Sequence, residues 1–94
     1  MKITDHKAEK IKDPFGILEG DRYECHLYAT VDEEDDLYSL EGFYIRVLYV
    51  ITETEQKIAG LFLHNRGDDS VLDFELEDDE IELVREYCAA NIKE

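Results

Sequence analysis

The chain has 94 residues and carries 25 Asp and Glu against 10 Lys and Arg, a formal net charge of −15. A field of that sign repels nucleic acid and anionic membrane surfaces and favours cations or basic protein surfaces. With 44% apolar residues, six Tyr and four Phe, the composition excludes a disordered chain, and the length allows one domain (1–94) with a small core.

Residues 2–12 alternate loosely and contain Lys2, Lys7, Lys10 and Lys12. They predict a strand at a sheet edge, where lysines discourage pairing with another edge. No apolar leader and no stretch of membrane-spanning length is present in the sequence, so a cytoplasmic location is expected. Asp13-Pro14-Phe15-Gly16 breaks the strand, and Phe15, Ile17 and Leu18 suggest that the following loop folds onto the core.

From Arg22 to Val31 the period is two. Tyr23, Cys25, Leu27, Ala29 and Val31 share one face, with Arg22, Glu24, His26, Tyr28 and Thr30 on the other. This predicts a half-buried antiparallel strand. Asp32, Glu33, Glu34, Asp35 and Asp36 open a long acidic connection that, with Glu41, contributes −6.

Phe43 to Thr52 is apolar on both faces: Phe43, Ile45, Val47, Tyr49 and Ile51 oppose Tyr44, Arg46, Leu48 and Val50. A strand covered on both sides is expected. Glu53 to Gln56 form a hairpin turn, and Lys57 to His64 return with Ala59, Leu61 and Leu63 on one face and Ile58 and Phe62 on the other. A turn at 65–69 leads to a short last strand over Ser70–Leu76.

The end is a helix. Ile81, Val84, Cys88 and Ile92, flanked by Leu83 and Tyr87, recur at helical spacing. Asp79 and Glu82 suit an acidic capping box, and Lys93 suits the C-terminal end of the helix dipole. The second acidic run, Asp73 to Glu82, contributes −7 and includes Glu77, Asp78, Asp79 and Glu80, which negative charge at a helix N-terminus already explains. The predicted fold is therefore α+β: an antiparallel meander of about five strands with one C-terminal helix on one face.

Chemistry-bearing constellations are sparse. Asp32, Glu34 and Asp36 resemble the start of a calcium loop, but Leu37 stands where the sharp turn needs Gly and Phe43 where the bidentate Glu belongs. His6, His26 and His64 lie on three strands without metal-ligand spacing, although His26 and His64 can share the polar face. Cys25 and Cys88 are in phase with apolar neighbours and read as reduced, buried thiols. Neither serine has a nucleophile context, and there is no glycine-rich phosphate loop. No catalytic residue, metal site or cofactor is expected, and the chain reads as a non-catalytic protein.

One helix cannot cover both faces of a sheet. Tyr28, Tyr44, Arg46, Leu48 and Phe62 would lie on the uncovered face, rich in the aromatic and Arg side chains enriched at interface hot spots. The loop at Phe15–Leu18, a curled sheet or another protein chain could cover them. The leading expectation is an interaction module that docks a protein partner or a second copy of itself, with no nucleic-acid or membrane partner. The alternative is an acidic mimic or immunity-type inhibitor of a basic protein; a weak divalent-metal binder or an enzyme ranks third.

Met1-Lys2-Ile3-Thr4, Lys12 to Leu18, Gly20 to Glu24, Val31 to Asp35 and Leu72 to Asp78 together resemble a group of short, acidic bacterial proteins of the Bacillus type. The resemblance spans nearly the whole chain and implies a stand-alone cytosolic domain. That group has no assigned function, so no functional residue is carried over.

Overall fold

A computed structural model describes residues 1–11, 20–35, 38 and 42–92. Its elements are β1 (Lys2–Ile11), β2 (Asp21–Thr30), β3 (Phe43–Ile51), β4 (Gln56–Asn65), β5 (Val71–Leu72) and α1 (Asp78–Asn91). The strands form one sheet in the order β1-β2-β3-β4-β5, each antiparallel to the next, so the α+β meander with a C-terminal helix is the fold.

The two-residue period of β2 puts Tyr23, Cys25, Leu27 and Ala29 into the core, opposite Tyr49, Val47, Ile45 and Phe43 of β3. Val84, Cys88 and Ile92 of the helical stripe close over them, and Cys25, Leu27, Ile45, Val47, Val84 and Cys88 are fully buried. Non-directional burial of this apolar surface is the main favourable term holding helix to sheet. At the other end of the contact, Tyr87 of α1 meets His6 of β1 at 2.7 Å, with the rings edge to face. His6 reaches the helix side because the β1–β2 register shifts between Ile3 and Asp5.

Three expectations need correction. The last strand was expected over Ser70–Leu76, but only Val71 and Leu72 pair with β4. The chain leaves the ladder early because Leu76 is drawn into the core. The helix begins two residues earlier than the Asp79–Glu82 pair implies: Glu77 is the N-cap and the Glu80 carboxylate accepts from the Glu77 N–H at 3.0 Å. Leu76 before this cap is buried and Ile81 behind it packs on the core, and that apolar pair fixes where the chain turns into the helix.

The third correction is in β4. The ladder pairs Leu48 with Gly60 but Tyr49 with Ile58, leaving Ala59 as an extra, bulged residue. Ile58 therefore packs against the core beside Leu61 instead of joining Phe62 on the other face. Strict alternation predicts the wrong side for every residue before the bulge. Lys93 and the loop at Phe15–Leu18 lie outside the described residues.

Candidate functional site

The face of the sheet turned away from α1 is built in rows across β2, β3 and β4. Antiparallel register sets Tyr28, Tyr44 and His64 side by side, then His26, Arg46 and Phe62, then Glu24, Leu48 and Gly60, then Arg22, Val50 and Lys57. Of the interaction residues expected from the sequence, all five fall on this face, but they are not equally available.

Tyr44 is 8% exposed and stacked on both sides. His26 lies 4.9 Å from it at 23° and His64 5.1 Å at 8°, centroid to centroid. Its hydroxyl donates to the Asp69 carboxylate at 3.1 Å. Burial, followed by that hydrogen bond, pushes the phenol pKa upward. His64 Nδ1 lies 2.9 Å from the Asp69 carbonyl oxygen, which can only accept, so Nδ1 is the donor. Tyr44 is thus a floor to the surface, already satisfied within the protomer.

Tyr28 is half-buried, with the Arg66 guanidinium 4.8 Å above its ring. Arg46 lies 5.9 Å over the ring of Phe62, and its Nε donates to Glu24 Oε1 at 2.5 Å. That hydrogen bond is the largest cause holding the Glu24 carboxyl below its ordinary range, and the nearby charges of Arg46 and His26 act in the same direction. His26 Nε2 stands 3.7 Å from the same oxygen, beyond hydrogen-bond reach. Glu24 and Arg46 therefore cancel each other at the centre of the face.

What is left open is apolar. Phe62 is 43% exposed, and Leu48 is half-buried. Gly60 separates them: a Cβ there would stand 3.2 Å from Phe62 Cε2 and 3.4 Å from Leu48 Cδ1. The missing side chain leaves room for Phe62 and Leu48 to close over Gly60 from its two sides. Val71 on β5, paired with His64, is also well exposed and extends the apolar surface toward the sheet edge.

The acidic runs are elsewhere. Asp32, Glu33, Glu34 and Asp35 are exposed where the chain leaves β2, and Asp36 lies outside the described residues. Glu77, Asp78 and Asp79 are exposed at the start of α1, with Glu80 half-buried. The two runs depart from β2 and β5, three strand spacings apart, about 14 Å. The described acids of both runs thus follow strands at or near the sheet margins.

Among the described residues no three His, Cys, Asp or Glu side chains converge on a possible cation position. The thiols are fully buried: desolvation raises Cys25 to about 11 and Cys88 to about 12, so neither supplies a thiolate nucleophile near neutrality. The described residues contain no helix long and apolar enough to cross a membrane. Sequence reasoning found the aromatic and Arg members of the face but missed their partners. Glu24, Arg66 and the histidine flanks of Tyr44 become visible only once strand register is known.

Compared with models of known families, the chain matches one over residues 1–94, described as a family of unknown function, DUF6509. No curated protein and no solved structure matches it.

Proposed function

We propose, for a chain that belongs to the family of unknown function DUF6509, that it is a non-catalytic interaction module whose open sheet face docks a second copy of itself. The observation that carries this reading is Phe62, 43% exposed on a central part of the face beside half-buried Leu48. Arg46 and Tyr28 border that patch, while Tyr44 supports it from beneath. Aromatic and Arg side chains around an apolar centre are the usual anchors of protein interfaces.

Charge limits where a copy can dock. Two molecules at −15 each repel at long range, so their contact must fall where charge is lowest. The Glu24–Arg46 pair makes the centre of this face close to neutral, and both acidic runs leave from its margins. A two-fold axis then lets the Phe62 and Leu48 patch of each copy cover that of the other, one patch serving both sides.

Sedimentation velocity over about 10 µM to 1 mM, a range that brackets a weak homodimer, tests the reading. A concentration-dependent dimer that Phe62→Asp abolishes, with the fold intact by circular dichroism, is expected. A strict monomer throughout the range would overturn it.

The acidic-mimic reading has weaker support, since Glu80 is used in closing the helix N-terminus and the acids around it suit the helix dipole.

A further inference from the structure

The corner between β4 and β5 holds a residue in an unfavourable backbone conformation. Asp69 has φ +60°, in the left-handed region that an L side chain seldom adopts. All three of its polar groups are engaged. Its N–H donates to the Asn65 carbonyl at 2.9 Å, its carbonyl accepts from His64 Nδ1 at 2.9 Å, and its carboxylate accepts from the Tyr44 hydroxyl at 3.1 Å. The strand that follows is Val71–Leu72, and Val71 is 68% exposed. With so little apolar cover, the corner depends on the polar contacts of Asp69.

His64 can hold its place in one protonation state. With Nδ1–H given to Asp69, Nε2 carries the lone pair, and that nitrogen is buried with no hydrogen-bond partner among the described residues. An unused lone pair is a modest cost. A second proton would make Nε2 a charged donor without an acceptor, which is far more costly to bury. The groups that face the ring supply none. From β3, Tyr44 attracts a cation with its ring, 5.1 Å away, but its hydroxyl is committed to the Asp69 carboxylate. That carboxylate attracts a positive charge without reaching Nε2. Asp68 Oδ1 accepts from the N–H and the hydroxyl of Ser70, and Val71, the β5 neighbour, is apolar. On the far side of Tyr44 lie His26 and Tyr28 of β2. Arg46, over Phe62, and Arg66, over Tyr28, oppose a further positive charge.

We propose that His64 is a proton-operated latch: a proton gained at Nε2 drives the ring off Tyr44 to reach water, which releases Asp69 and opens the β4–β5 corner. The neutral ring fits the closed corner and the imidazolium does not, so the corner is closed at neutral pH and opens as the pH falls. Opening breaks two ladder pairs, Leu63 with Leu72 and His64 with Val71, while Leu76 keeps the chain beyond them anchored in the core. It uncovers one face of Tyr44, the floor of the open sheet face. The latch is separate from the docking reading and stands without it.

The test follows the full chain by ¹H–¹⁵N and ¹H–¹³C NMR from about pH 8 to about pH 5, the range in which histidine usually changes charge. The His64 ring signals report its protonation, and the Asp69 and Val71 amides report the corner. At the upper end His64 should be the Nδ1–H tautomer. On acidification the two amides should move toward unfolded positions together with the ring, while those of Tyr49 and Val84 keep theirs. The open population should rise by up to about tenfold per pH unit, the slope of one linked proton. His64→Asn places an uncharged amide donor where Nδ1 stands and should leave the corner closed across the range. His26→Gln, which removes the other histidine of the stack, should leave the pH response in place. A His64 ring that takes up its proton while the Asp69 and Val71 amides stay native overturns the proposal. So does a corner that opens in His64→Asn as in the wild type, or a His64 that stays neutral until the whole sheet unfolds.

Discussion

Tyr87, on the helix, and His6, on the edge strand, meet at 2.7 Å across 81 residues of sequence. The contact ties α1 to the outermost strand, where hydrophobic cover is thinnest: β1 is exposed along most of its length, while the buried stripe of the helix shares its core with β2, β3 and β4. Burial raises the pKa of the Tyr87 phenol, with the negative charge of Asp5 adding to it, so the hydroxyl stays protonated at neutral pH. Tyr87→Phe should lower the stability to urea by about 1 kcal/mol, the usual net worth of one hydrogen bond. Combined with His6→Ala in a double-mutant cycle, the losses should be less than additive. Full additivity would show that the pair is not coupled.

Glu24 gives a pH signature. Its folded-state pKa is depressed below 4.5, first by the hydrogen bond from Arg46, so the ionised form is favoured by folding. Such a group adds stability above its unfolded value and loses it as the pH falls through the depressed folded value. Glu24→Gln should therefore destabilise at pH 7 by no more than about 1 kcal/mol, because the pair is partly solvated. The gap between the two proteins should close as the pH drops below 4.5. Chemical denaturation at several pH values checks this, and a constant gap would contradict it.

The thiols should report on helix detachment. Cys25 at about 11 and Cys88 at about 12, both with no exposed surface, have almost no thiolate at pH 8. A disulfide reagent added to the native protein should react with neither on the minute timescale, and with both once denaturant unfolds the chain. Rapid modification of one thiol under native conditions would mean that α1 opens readily.

Salt dependence follows from the charge excess. Four ion pairs made by Lys or Arg are seen among the described residues, set against a net charge of −15. Repulsion should dominate, and the thermal midpoint should rise between about 10 mM salt and physiological ionic strength, where the screening length shortens to about 8 Å. A falling midpoint would mean that the attractive pairs outweigh the repulsion.

Much of the architecture was legible because simple periods carry it. Alternation in β2 and β3 separates Cys25 and Val47 from Glu24 and Leu48, and the 81-84-88-92 spacing defines the helix stripe. Where a tertiary demand competes with a local pattern, the reading failed. Leu76 ends the β5 ladder and moves the cap to Glu77, although Asp79 and Glu82 look equally suitable in isolation. The open face was visible as a row of aromatic and Arg residues. Its internal economy was not, because stacking of His26 and His64 on Tyr44 depends on register and rotamer. The pairing of Glu24 with Arg46 was invisible for the same reason.

The extra residue at Ala59 divides β4 into two halves of opposite parity. Odd-numbered positions beyond it, Leu61 and Leu63, answer to the helix, whereas before it that duty passes to the even-numbered Gln56 and Ile58. Shortening the strand by that one residue would merge the halves and force either the hairpin tip or the Phe62 end to rotate by a half-turn. Tolerance of insertions and deletions should therefore differ sharply between this strand and its neighbour β3, and length variants at Ala59 are the place to see it.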